Sequence, residues 1–510
     1  MPSELLTDTA TWRRLEWHVA ELRSFHLREA FESDPTRGVR LAAEAAGVYL
    51  DYSKNLVTDD TLQLLRRLAH ERGLEDRIRS LFRGGSSAIE ELERMLAFAQ
   101  RARAGEWLGA TGERVRAVVV VGAELGPALA HEALRERATP DIAFRFVSSL
   151  DPVDLARTTE GLDLRETLFV VSTTRAAWET LALADAARAR IASALGRARG
   201  SERHVVAVSA NPDAASAVLG IPREQVFHSG AGERLSSRSA AGLSTAIALG
   251  EEGVRELLGG FRAMDEHFAR APLGGNLPAI AGVLGVWYRS FLAAQTAAIV
   301  PYPTALRLLP AYVRQLSLEA LGRRHQESGE PVETDTGAVL WGSTGTDAQS
   351  AVLPFLHRGT ALVPVDLVGV ARSPVADARE QHDRLAASLI AHARLLAVGM
   401  SADELEGAGV TEDADPHRVL PGNRPTSVLM VRELSPAALG ALLALYEHRV
   451  FTQAAIWGVD PFDRWRVEPG EELAAKITSE LSPGWKHELL HDSSTNALIE
   501  RYRRMRDGLT

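Results

Sequence analysis

One pattern recurs three times in the first half of the chain and restricts the fold more than any other feature. VRAVVVVGAELGPALAHEAL (Val115–Leu134), TLFVVSTTRAAWETLALADAA (Thr167–Ala187) and HVVAVSANPDAASAVLGI (His204–Ile221) each pass from a β-branched run, through a glycine or hydroxyl turn, into a helix-forming segment. Buried strands alternating with helices demand a parallel sheet covered on both faces, the doubly wound α/β arrangement. In such sheets ligands sit beyond the carboxyl ends of the strands, where these turns lie. GAVLWGSTGTD (Gly337–Asp347), TALVPVDLVGV (Thr360–Val370) and PTSVLMVREL (Pro425–Leu434) repeat the strand signal and predict a second α/β domain.

The remaining segments read as helical. From the N-terminus to about residue 110 the apolar spacings are three and four, the period of amphipathic helices. The stretch 280–325 and the tail from Glu471 are also expected to be helical. Ala281–Val300, AGVLGVWYRSFLAAQTAAIV, is the most apolar stretch; interrupted by Arg289 and Gln295, it reads as a buried core helix rather than a membrane span. The predicted division is a helical region over 1–110, α/β domains over 111–280 and 281–470, and a helical tail over 471–510.

Composition narrows the function classes. A net charge of −10 without a basic run argues against a phosphate-tracking surface for nucleic acid. The chain has no cysteine, which excludes disulfides and thiolate chemistry and fits a reducing cytoplasm. Charges throughout MPSELLTDTATWRRLEWHVAEL do not match a signal peptide. HExxH, GxxxxGK and GxGxxG are all missing.

Single residues allow two readings each. Ser172, Thr173 and Thr174 stand between a strand and a helix, where hydroxyls and backbone N–H groups can hold a phosphate or simply cap the helix. Arg234 in GAGERLSSRS can meet an anion or be solvated. Glu319 follows Gln315 by four residues, on one helical face, and can be a base or a surface carboxylate.

Taken together, ordered motifs give the chain a resemblance to the phosphoglucose isomerase family. They are LDYSKN (Leu50–Asn55), MDEHF (Met264–Phe268), NLP (Asn276–Pro278), GVWY (Gly285–Tyr288), PYPTALRLLPAYVRQLSLE, PGNRP (Pro421–Pro425), Leu439–Trp465 and HDSSTN (His491–Asn496). The resemblance implies two sugar-isomerase-type domains, a homodimer, and interconversion of glucose 6-phosphate and fructose 6-phosphate in glycolysis and gluconeogenesis. It implies no metal or organic cofactor, no nucleic acid and no membrane.

By the same resemblance Glu319 falls on the base position, Gln315 on the substrate-contacting glutamine and Arg234 on the arginine that stabilises the enediolate. The phosphate loops are thinned: STTRAA stands for SKTFTT, so Ser172 and Thr174 match, and VVVGA stands for GIGGS, so Gly122 matches. Ser350 in GTDAQS occupies the place of the family's ring-opening histidine, and Glu471 in WRVEPGE that of an active-site lysine. Both departures remove a proton-handling group. His357, seven residues after Ser350, is expected to be too far along a helix to substitute, whereas Arg175 or Arg464 can restore positive charge or pair with Glu471. The expectation is an isomerase with weakened or altered activity; the alternative is a non-catalytic phosphosugar-binding or assembly protein.

Overall fold

A computed structural model describes residues 5–83, 88–172, 178–196, 199–228, 242–407, 419–462, 468–482, 484–485 and 487–508. Two sheets organise it. The first, in the order β4-β3-β5-β6-β7, contains β3 (Ala117–Val121), β4 (Ala143–Val147), β5 (Thr167–Ser172), β6 (Val205–Ser209) and β7 (Val226–His228), all parallel.

The continuous apolar runs follow from double coverage. Val118, Val120, Leu168 and Val170 enter one core; Val119, Val121, Phe169 and Val171, pointing the other way, enter a second. Adjacent residues therefore feed opposite layers, as a doubly wound domain requires.

The second sheet, in the order β1-β2-β11-β10-β8-β9, has a parallel part formed by β8 (Thr296–Pro301), β9 (Val339–Trp341), β10 (Val365–Val370) and β11 (Thr426–Val431). An antiparallel hairpin, β1 (Ala42–Ala45) and β2 (Val48–Lys54), adds to β11. Here too alternate residues divide, Ala297 and Ile299 to one core, Ala298 and Val300 to the other.

The main helices include α1 (Ala10–Glu21), α2 (Asp59–Glu71), α3 (Ala88–Arg103), α4 (Leu125–Ala133), α5 (Leu243–Arg270, interrupted at Gly250), α6 (Leu277–Val286), α7 (Leu309–Leu321), α8 (Val352–Arg358), α9 (Arg379–Val398), α10 (Pro436–Trp457), α11 (Glu468–Glu480) and α12 (Ser493–Arg506). The chain forms two compact units, Met1–Phe462 and Asp463–Thr510. No helix among the described residues is long and apolar enough to cross a membrane.

The N-terminal region is mainly helical, as expected, and in addition supplies β1 and β2 to the second sheet. One expectation is corrected. Ala281–Val300 is not one helix: α6 ends at Val286, a wide π turn covers Trp287–Phe291, Ala293 takes a positive φ of 54°, and Thr296–Pro301 is strand β8. A run apolar on every side has no period to separate helix from buried strand, and the turn between them carries no glycine or proline signal.

Candidate active site

Gly122 and Ser172 meet at the carboxyl edge of the first sheet. Val121 of β3 lies opposite Val171 of β5, so the residues that follow are neighbours. Gly122 has φ 146°, and a Cβ there would lie 3.2 Å from both the Ser172 Cβ and its carbonyl oxygen. The positive φ and that close approach together favour glycine, and they bring the turn before α4 against Ser172, the residue that closes β5.

Gln315 and Glu319 meet on α7. The helix buries Leu309, Tyr312, Val313, Leu316, Ser317 and Ala320, leaving Gln315 and Glu319 half-buried on another face. The Gln315 side-chain amide donates to Glu319 Oε1 at 3.0 Å, and Arg323 Nη2 donates to the Glu319 carbonyl at 2.9 Å. One carboxylate is thereby held in a defined orientation by the residue one turn earlier. Arg234 and Thr174, with Thr173, Arg175 and Arg464, lie outside the described residues.

The phosphoglucose isomerase family profile matches residues 85–499. Two glucose-6-phosphate isomerases are similar along their full length: that of Anaeromyxobacter sp. (strain K) is 48% identical over 99% of both chains. That of Deinococcus deserti is 45% identical over 99% of this chain and 100% of its own. The chain belongs to the phosphoglucose isomerase family. The solved glucose-6-phosphate isomerase of Chlamydia trachomatis superposes with a TM-score of 0.82 at 25% identity, covering 98% of this chain and 100% of its own.

Most of the family's recognisable motifs serve the scaffold. In LDYSKN, Asn55 donates to the Tyr52 and Thr426 carbonyls and to Ser427 Oγ, and accepts from the Tyr288 hydroxyl of GVWY at 2.9 Å. The neighbouring Trp287 indole donates to the Leu56 carbonyl at 3.0 Å. Asp265 of MDEHF pairs with buried His448 at 2.8 Å, and Phe268 stacks on that imidazole with centroids 4.3 Å apart. Asn276 of NLP caps α6, while Asn423 of PGNRP takes φ 55° and clamps the backbone at Phe25 and Leu27. In the C-terminal unit, Asp492 of HDSSTN caps α12, and His491 pairs with buried Glu480 at 2.7 Å.

The departures from the family pattern fall on exposed or separately placed groups. Ser350 is exposed, on the turn entering α8. Glu471 lies on α11 in the Asp463–Thr510 unit. His357 is buried at the far end of α8, where it shares a 3.3 Å hydrogen bond with His392 of α9. Most of α8 lies between it and Ser350.

Burial first, then the charges of His392, Arg424 and Arg358, push the His357 pKa down to about 4. The unfolded chain, titrating near 6.5, binds more protons in between, so this group's contribution is intact above about pH 6.5 and is lost as pH falls toward 4. At most about 3 kcal/mol of stability is expected to go with it. His357→Gln should flatten that part of the curve of unfolding free energy against pH; an unchanged slope counts against the assignment.

Proposed function

We propose that the chain is a glucose-6-phosphate isomerase of the aldose–ketose type. The observation that carries this reading is the full-length similarity to enzymes of that name, 48% and 45% identical. It supports isomerase activity over the non-catalytic alternative. In the open-chain aldose, the Glu319 carboxylate takes the proton from carbon 2, the electrons form the enediolate with its charge on oxygen 1, a proton passes from oxygen 2 to oxygen 1, and Glu319 returns its proton to carbon 1 as the carbonyl forms at carbon 2. Gln315 orients the carboxylate and substrate, Arg234 faces the developing oxyanion, and Gly122, Ser172 and Thr174 receive the phosphate.

One ion pair supports a place for α7 beside the helix that follows the Gly122 turn. Arg307, two residues before α7, pairs at 2.9 Å with Glu132 in the last turn of α4, and the two helices pack together. A homodimer, a cytoplasmic location and the four-part division at 110, 280 and 470 belong to the same proposal.

A coupled assay of fructose 6-phosphate conversion tests the activity, and turnover equal to a blank rejects it. Ser350 has a hydroxyl where proton transfer during ring opening calls for a group titrating near neutrality. Ser350→His is expected to raise kcat by at least about threefold, a small part of what a positioned acid–base group can supply. No gain would place ring opening elsewhere.

A further inference from the structure

We infer that a polar chamber behind α7 is a hydration site, and that its bound waters tie the base-bearing helix to the buried Asp366–Arg449 ion pair. Asp366, Arg449 and Ser317 are then positioning residues for the proposed isomerisation, on whose reading this inference rests. Val313 and Ser317 line the chamber. Gln315 and Glu319, two positions further along in each case, are rotated by about 200° and face the other way. Thr296 and Val365, the first residues of β8 and β10, also line it, so it lies at the amino ends of the strands, away from the edge that carries ligands in such sheets.

The lining holds more hydrogen-bonding capacity than the protein uses. Asp366 of β10 accepts from Arg449 Nη1 and, at 3.4 Å, from the Tyr446 hydroxyl, both on α10. The Asp366 and Arg449 side chains are only 14% and 13% exposed. A pair so far out of water is favourable only when its remaining donors and acceptors are also satisfied. Yet among the described residues the one hydrogen bond of the Arg449 guanidinium is that to Asp366, and neither Ser317 Oγ nor the Gln453 amide makes one.

The Asp366 and Arg449 charges cancel, and Arg289, the third charged lining residue, is paired with Asp335 at 3.3 Å, so the chamber suits neutral donors and acceptors rather than an ion. Its room for water centres is about 40 Å³. At 10–15 Å³ each, that is about three waters, each within a lining rich enough to offer two or more partners. Waters there complete the shell of the ion pair and connect it to the Ser317 hydroxyl, two residues before the Glu319 carboxylate and on the opposite face of α7.

The test uses the full chain. A crystal structure is expected to contain ordered waters bonded to Ser317 Oγ, Gln453 and Arg449; a dry chamber overturns the proposal whether or not the protein is an isomerase. Ser317→Val is expected to lower kcat about fivefold with KM within about twofold, the mark of a misplaced base rather than lost binding. Amide exchange in α7 should quicken in the same variant, and Ser317→Thr, which keeps the hydroxyl, should restore both readouts. A folded Ser317→Val protein with wild-type kcat and exchange overturns the positioning role. If the wild type shows no turnover, the isomerase reading fails, while water density and exchange still decide the chamber. Should Ser317→Val not fold, Ser317→Ala carries the same comparison.

Discussion

Glu319→Gln is expected to lower kcat by at least about a thousandfold in the coupled assay while leaving KM within a few-fold. The substitution keeps the shape of the side chain and an oxygen able to accept from the Gln315 amide, the 3.0 Å bond that orients it. It removes only the ability to hold a proton. An amide cannot shuttle a proton between neighbouring carbons, so the chemical step should collapse while substrate binding survives. Wild-type kcat in this variant would remove Glu319 from the mechanism; a large rise in KM with kcat unchanged would make it a binding group instead.

The largest effect on stability is expected at a helix crossing remote from the chemistry. Gly260 of α5 and Gly440 of α10 let two backbones touch. A Cβ on Gly260 would lie 1.9 Å from the Ala437 carbonyl oxygen, and one on Gly440 would lie 2.2 Å from that of Leu257. Neither obstacle is a side chain that can swing aside, so the helices must separate and give up packing along the crossing. Gly260→Ala and Gly440→Ala are each expected to cost at least about 3 kcal/mol in chemical denaturation.

The neighbouring glycine supplies the control. Gly259 is exposed and has nothing within 4 Å of its Cβ position. Gly259→Ala should therefore stabilise by up to about 1 kcal/mol through helix propensity alone. Adjacent substitutions of identical chemistry should differ in sign; equal effects at Gly259 and Gly260 would show that the crossing does not limit stability.

Legibility along the chain followed the range of the physics. β3, β5 and β6 were readable because a strand buried on both faces must be apolar at every position, and the turns after them were marked by glycine and hydroxyls. β8 was not readable, because Thr296–Pro301 continues the apolar texture of α6 without a break. Nor was the recruitment of β2: its place beside β11 depends on a partner some 370 residues away, as the Asn55–Ser427 hydrogen bond illustrates.

The site was legible in a particular way. The motifs that identified the family, around Asn55, Asp265, Asn276 and Asn423, prove to be caps, clamps and buried pairs, and they say little about chemistry. Their value was to place Glu319, Gln315 and Ser172 in register with a reaction. The chamber gave no sequence signal, since Ser317 and Asp366 come from segments far from the one that holds Arg449 and Gln453, and no local pattern joins the three.

Alternation of strand and helix, and the family to which the chain belongs, were therefore already present in the order of its residues, because both rest on local periodicity and short contiguous motifs. The glutamine one turn before Glu319 was equally visible, because the helical repeat alone makes them neighbours. The contact of Gly122 with Ser172 and the Arg307–Glu132 pair that joins α7 to α4 were not visible. Each of these depends on which distant surfaces pack together, and that is set by the fit of whole layers, which no local pattern encodes.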